Sequence, residues 1–219
     1  MEKPILFNKE MVQAILEGKK SCTRRIVKPH RQANIENMWI DMSDWDSVVV
    51  YDDNFHIGEK GYIKIPYKVG DILYVRETWC DTTKDLKYDS DLEVGECRYI
   101  FKVDDNGHRQ PIIEVDVKRW RPSIHMPKEA ARIFLEVTDV RVEMLQDITE
   151  EQIKNEGVSY DEEVYEMHCN IKNARETYLK GCFRDLWDST IKKEHLDMYS
   201  FYDNPWVWVI EFKVKEVKN

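Results

Sequence analysis

The sequence predicts an α+β protein built on a small mixed β-barrel. Three observations carry that expectation. Several short segments alternate apolar and polar residues with the period of a strand, and the helical segments are few and brief. No internal repeat or low-complexity tract breaks the 219 residues. That length fits one large domain, 1–219, long enough to bury a core without staples, and a 42% hydrophobic composition supports a packed globule.

In chain order, Asn8 is placed to cap a helix whose Met11, Ile15 and Leu16 share one face and which Gly18 stops. A basic segment follows and ends at Lys28-Pro29. Residues 30–65, with Trp39, Trp45 and Val48-Val49-Val50-Tyr51 among Asp and Gly, read as an inserted hairpin region. Lys68-Val69-Gly70-Asp71 is a turn into a buried strand, Ile72-Leu73-Tyr74-Val75-Arg76. Residues 80–118 read as a second insertion, with a strand near Arg98 to Val103 and a turn at Asp105-Asn106-Gly107.

Met126 to Arg132 reads as a helical turn with proline at its first helical position. Ile133, Leu135 and Val137 alternate with Phe134, Glu136 and Thr138 as a strand does. Thr149-Glu150-Glu151-Gln152 has the capping-box pattern and starts a short helix that runs to Gly157. A longer helix covers Ala174 to Trp187 and buries Tyr178, Phe183, Leu186 and Trp187. The last strand, Trp206 to Val214, alternates Trp208, Ile210 and Phe212 against Val209, Glu211 and Lys213.

Charge narrows the partners. A formal net charge of −9 repels nucleic acid as a whole, so a protein that coats long RNA through its phosphates is not expected. Two stretches run the other way: Lys19, Lys20, Arg24, Arg25, Lys28 and Arg31, and Lys118, Arg119, Arg121, Lys128 and Arg132. They suit a small anionic or polar ligand or a short RNA contact, and equally two solvated faces. No apolar run approaches the ~20 residues of a spanning helix, so no membrane partner is expected. Met1 to Asn8 carries no signal pattern, and Cys22, Cys80, Cys97, Cys169 and Cys182 are odd in number and never closely paired. A cytoplasmic protein without disulfide framework, metal or cofactor is the expectation; His168-Cys169 lacks partners at ligand spacing.

Chemistry-bearing residues gather in Gly18-Lys19-Lys20-Ser21-Cys22-Thr23-Arg24-Arg25. A threonine hydroxyl is a poor nucleophile until a neighbouring base takes its proton. A lysine among other cations has its ammonium form disfavoured and can be that base. On spacing alone, the same residues also suit a loop whose Thr23 caps a turn and whose Lys20 is solvated. Cys22 as a nucleophile lacks a paired histidine signature.

The run Ile15-Leu16-Glu17-Gly18-Lys19-Lys20-Ser21-Cys22-Thr23-Arg24-Arg25 resembles the signature of ASCH-domain proteins. So do Val69-Gly70-Asp71-Ile72-Leu73 with Val75-Arg76-Glu77-Thr78-Trp79, Leu145-Gln146-Asp147-Ile148-Thr149-Glu150-Glu151 running to Glu156-Gly157, and Trp208-Val209-Ile210-Glu211-Phe212. Trp120-Arg121-Pro122-Ser123-Ile124-His125-Met126-Pro127 and Asn204-Pro205-Trp206-Val207-Trp208 are similar to the long form carried by bacteriophages and prophages.

The resemblance implies a PUA-like β-barrel with short flanking helices, insertions at about 30–65 and 80–118, and a cleft for RNA or a modified nucleoside. One small bacterial branch hydrolyses N4-acetylcytidine with a Lys, a Thr and a Glu, which by motif fall on Lys20, Thr23 and Glu156. In that chemistry Thr23 attacks the acyl carbonyl, Lys20 takes its proton and Glu156 protonates the departing amine. Arg25 matches a motif arginine that holds a carbonyl or phosphate oxygen. The chain is considerably longer than that branch, and insertions beside a cleft change what it admits. An RNA-binding or RNA-cleaving module, and a phage accessory protein that binds a host factor, are the alternatives.

Further substrate-binding candidates are Arg76, Glu77, Trp79, Trp120, Arg121, Ser123 and His125. Trp79 and Trp120 suit base stacking and core packing alike. Arg76 with Glu77 reads as a ligand clamp or an ion pair, and His125 as a cleft residue or a satisfied structural histidine.

Overall fold

The computed structural model describes residues 1–28, 39–41, 47–51, 61–85, 98–106, 117–167 and 173–218. In chain order the elements are β1 (Glu2–Leu6), α1 (Lys9–Leu16), β2 (Cys22–Ile26), β3 (Trp39–Asp41), β4 (Ser47–Tyr51), β5 (Gly61–Lys64), β6 (Ile72–Arg76), β7 (Trp79–Asp81) and β8 (Tyr99–Phe101). There follow β9 (Ile133–Met144), α2 (Glu150–Asn155), α3 (Glu162–Met167), α4 (Ala174–Thr190), α5 (Leu196–Tyr199) and β10 (Trp206–Val217). Short 3-10 turns lie between them, among them Ser123–His125 and Lys128–Ala130.

Five strands form one mixed sheet in the order β1-β6-β9-β10-β2, with β1 and β6 parallel and the other pairs antiparallel. Alternate side chains of β10 feed two different clusters. Trp208, Ile210 and Phe212 pack with Ile5, Leu73, Val75, Leu135 and α1 on one face, while Val207 and Val209 pack with Leu145, Ile153, Leu179, Phe183 and Trp187 on the other. Burial on both faces explains why the closing strand is apolar at consecutive positions. Phe134 is buried too, in the same cluster as Ile133 and Leu135 although it alternates with them along β9, and Lys218 Nζ lies 4.4 Å from its ring centre.

The expected barrel is not closed. β1 and β2 are the two edges of the sheet, and no strand pairing joins them among the described residues. Laid flat, five strands would set those edges about 19 Å apart, four spacings of about 4.8 Å. Yet Arg25 Nη2 on β2 donates to the Leu6 carbonyl of β1 at 2.7 Å, and the Tyr67 hydroxyl donates to the neighbouring Pro4 carbonyl at 2.9 Å. The sheet is therefore strongly curved, and side chains span the gap that backbone ladders would fill in a barrel.

Several local expectations change. The basic segment after α1 is not a loop, since Cys22 to Ile26 is an edge strand. β1 forms despite Pro4, as an edge position allows. The helical turn after Met126 shortens to Lys128–Ala130, with Pro127 as its N-cap. Asp105 and Asn106 end the 3-10 helix Lys102–Asn106, while Gly107 lies outside the described residues. Of the first insertion, β3, β4 and β5 form a three-stranded antiparallel sheet. Of the second, β8 pairs with β7. The remaining residues of both lie outside the described ones, as do His168 and Cys169. Among the described residues no helix is long and apolar enough to cross a membrane.

Candidate functional site

Two helix ends meet to build the site. Asn8 caps α1 by accepting from Met11 N–H at 2.9 Å. Gly18, with φ +72°, turns the chain left-handed at the other end, where a side chain is disfavoured. The N–H groups of Lys19 and Lys20 then fold back on the Ala14 carbonyl at 2.8 and 3.1 Å. From the other direction comes α2, started by a complete Thr149/Gln152 capping box and ended at Glu156. The two ends touch through backbone: Lys20 and Glu156 form an isolated antiparallel bridge, and Ser21 N–H donates to the Asn155 carbonyl at 2.9 Å. Gly157 permits this approach. Its φ is +72°, and a Cβ there would lie 2.7 Å from that of Ala14 and 2.9 Å from that of Lys20.

The contact places an ammonium against a carboxylate inside the protein. Lys20 Nζ donates to the Glu156 carbonyl and to Oε2, both at 2.7 Å, and the side chains are 0% and 4% exposed. Glu156 Oε1 accepts from Arg24 Nη1 at 3.2 Å. The Arg24 side chain is itself fully buried, 6.0 Å from the centre of the Phe183 ring, and its Nη2 donates to Gln152 Oε1 at 3.0 Å and Glu143 Oε2 at 3.3 Å. Burial pushes the Lys20 ammonium below the ordinary lysine range, while Glu156 pulls it the other way. Glu156 occupies two of the three donor positions of Lys20; the ammonium also lies 5.6 Å from the centre of the Phe7 ring.

Strand alternation sorts the rest of β2. Thr23 and Arg25 stand opposite Ile210 and Trp208 and share their face, whereas Arg24 stands opposite Val209. Thr23 is 2% exposed, and its hydroxyl makes no hydrogen bond among the described residues. It lies inside a strand, so the turn-cap reading does not apply. Arg25 sits 5.3 Å from the Phe7 ring centre, against Lys20 on the same ring. Burial pushes the Cys22 thiol up to about 12, which keeps it a neutral thiol at neutral pH and disarms it as a nucleophile.

The other sequence candidates form a second group. Arg76 touches the first, because its carbonyl accepts from Phe7 N–H at 3.3 Å; its guanidinium donates to the Ile124 carbonyl. Glu77 turns inward, where both carboxylate oxygens accept from Arg132 at 3.0 and 3.1 Å. Trp79 is buried, edge-on to Tyr99, with the Arg121 guanidinium 5.3 Å from its ring centre and its indole N–H unpartnered. Arg121 grips Asp85 at 2.5 and 3.0 Å. Trp120 lies under Lys102 at 5.0 Å, Ser123 is half-buried at the start of its 3-10 turn, and His125 is exposed. No hydrogen bond, ion pair or ring contact among the described residues joins Trp79, Trp120, Arg121, Ser123 or His125 to Lys20, Thr23 or Glu156.

Neither basic run is a bare positive face. In the first, Lys20 and Arg24 are buried and Lys19 pairs with Glu17. In the second, Arg121, Lys128 and Arg132 pair with Asp85, Glu2 and Glu77. Sequence reasoning missed Glu143, Gln152 and Phe7 as parts of the site. No local pattern pointed to the first two, which reach Arg24 from 119 and 128 positions away.

No family model matches this chain, and no curated protein matches it. Among solved structures it is similar to the crystal structure of a protein from Enterococcus faecalis V583 described by the family model DUF984. The identity is 11% and the TM-score 0.37, over 100% of this chain and 84% of that one.

Proposed function

We propose that the chain is an ASCH-type protein with a PUA-like fold that binds a modified nucleoside or an RNA base and hydrolyses an acyl amide on it, as in N4-acetylcytidine. The observation that carries this reading is the buried Lys20–Glu156 pair, 2.7 Å apart, beside a buried Thr23 whose hydroxyl has no hydrogen-bond partner among the described residues. A lysine held below its ordinary range by burial has access to the neutral form that a general base requires. In the reaction Thr23 Oγ1 attacks the acyl carbonyl and its proton passes to Lys20. The C–N bond of the tetrahedral intermediate then breaks, and the amine leaves with a proton from the Lys20–Glu156 pair. Water hydrolyses the resulting ester. Arg25 is the group placed to hold a ligand oxygen. A cytoplasmic location accompanies ligands of this kind.

A second reading, an RNA-binding module without hydrolysis, is favoured by Arg25, which has no acid partner among the described residues. Incubating the protein with N4-acylated cytidines and with short RNAs, and reading products by mass spectrometry, separates the two. Free acid and cytidine are expected. Binding of the RNAs with every acyl group intact would leave only the second reading.

A further inference from the structure

We infer that Arg24 is a positioning residue of this site: held by Glu143 and Gln152, it fixes the Glu156 carboxylate as a permanent acceptor for Lys20, so that Lys20 alone carries the proton in both directions. This rests on the hydrolytic reading above and changes the part that the motif resemblance assigns to Glu156.

The geometry carries the argument. Each oxygen of Glu156 accepts from a different cationic donor, Oε2 from Lys20 and Oε1 from Arg24. Neither donor has a lone pair to receive a proton while charged, so this arrangement suits a carboxylate that accepts and does not give. Arg24 cannot swing away. Its side chain has no exposed surface, and Nη2 is engaged by Gln152 on α2 and Glu143 on β9. Glu143 is steadied in turn by Arg141, whose Nε donates to Oε1 at 2.5 Å, and Gln152 by Thr149 N–H at 2.9 Å. Lys20, by contrast, meets Glu156 with two N–H groups, which in the neutral amine leaves its lone pair for a third direction.

The steps balance. As Thr23 Oγ1 bonds to the acyl carbon, its proton moves to the Lys20 lone pair. When the C–N bond breaks, the same proton moves from Lys20 to the amine nitrogen. Water then adds to the ester carbon and gives a proton to Lys20, which returns it to Thr23 Oγ1 as the acid leaves. Glu156 stays an anion throughout and steadies the ammonium whenever it forms.

The charged and titratable groups around Lys20 are Glu156 at the end of α2 and Cys22 and Arg25 on β2. Around Arg24 stand Glu156, Glu143 of β9 and Cys22, with Phe183 of α4 closing the apolar side. Removing Arg24 takes away a cation and leaves Oε1 without its donor, and both changes favour the charged form of Lys20. A side chain that only filled space would move nothing.

The test titrates Lys20 in the full chain by NMR of lysine side-chain carbons, with its signal assigned from Lys20→Arg, and follows hydrolysis of N4-acetylcytidine against pH. In Arg24→Met the Lys20 titration is expected to rise by about one pH unit. The acidic limb of kcat/KM should rise equally, so that the rate on that limb drops about tenfold at a given pH with KM little changed. In Glu156→Gln the titration and the acidic limb should both fall, and the rate above that limb should drop without vanishing, because the ammonium loses its anionic partner. An unmoved Lys20 titration in Arg24→Met overturns the positioning role. Loss of hydrolysis in Glu156→Gln at every pH, with Lys20 titrating as expected, makes Glu156 the proton donor and overturns the single-carrier scheme. Should Arg24→Met fail to fold, Arg24→Lys keeps a buried cation and is expected to shift the titration in the same direction by less. If the wild type cleaves no acylated cytidine, the hydrolytic reading falls, and the titration still decides whether Arg24 sets Lys20.

Discussion

Two ionic knots among the described residues, one around Arg132 and one around Glu156, are built differently. In one, Arg132 binds both oxygens of Glu77 at 3.0 and 3.1 Å and Asp104 at 2.6 and 3.3 Å, with the Phe101 ring stacked 4.1 Å from its guanidinium carbon. Every carboxylate oxygen there is answered by a single cation, and the knot is closed. In the other, Lys20 and Arg24 share Glu156, and next to them stand a Thr23 hydroxyl and an Arg25 that have, among the described residues, no hydrogen-bond partner and no acid respectively. A buried ion pair is therefore no mark of function by itself. What distinguishes the second knot is hydrogen-bonding capacity left unspent at its border.

The comparison predicts that stability and activity respond in opposite orders. The largest loss of stability is expected for Arg132→Met, which strands two carboxylates: about 3–5 kcal/mol by denaturant unfolding, with hydrolysis unchanged in the folded fraction. A large fall in kcat would show that the closed knot also serves the chemistry. Gly157→Ala comes next, at about 2–4 kcal/mol, because it combines a left-handed backbone with a Cβ forced onto Ala14 and Lys20. It should also cut hydrolysis by displacing Lys20, and a neutral result would deny the close approach. Lys20→Met should cost less, about 1–3 kcal/mol, since Glu156 keeps Arg24, yet remove hydrolysis to background. Thr23→Val keeps the shape and deletes an uncommitted hydroxyl, so stability should hold within about 0.5 kcal/mol while acyl transfer disappears.

The smallest effect concerns pH. Burial raises the Glu77 carboxyl above its ordinary value, so the native state binds that proton more tightly than the unfolded chain. The stability it contributes is fully present below the unfolded value of about 4.3 and is lost as pH rises through the folded one. Glu77→Gln should flatten that stretch of the stability curve in unfolding measurements across pH. A steeper curve in the variant would put the shift in the other direction.

Local signals were legible in the sequence. Asn8, Gly18 and the Thr149/Gln152 box announce α1 and α2 because a cap needs only residues one turn away. β6 and β10 declare themselves by composition. β1 and β2 do not: Pro4 argues against a strand, and Cys22-Thr23-Arg24-Arg25-Ile26 looks like a solvated basic run. Arg24 becomes a core residue only because Glu143, Gln152 and Glu156 arrive from more than a hundred positions away, and no local pattern encodes that. The contact of Lys20 with Glu156, 136 positions apart, is likewise invisible to periodicity; only the motif resemblance named both residues. The α+β expectation held as a curved five-stranded sheet with a few helices, while closure is not seen among the described residues, where side chains stand between the sheet edges.

That arrangement has a consequence for how the molecule meets its own copies. The outer edge of β1 is where another chain would add a strand. At Pro4 it has no N–H to offer, and its Pro4 and Leu6 carbonyls already accept from Tyr67 and Arg25. A strand that lacks its central donor and has two of its carbonyls already taken is a poorer template for cross-molecular pairing than a bare edge.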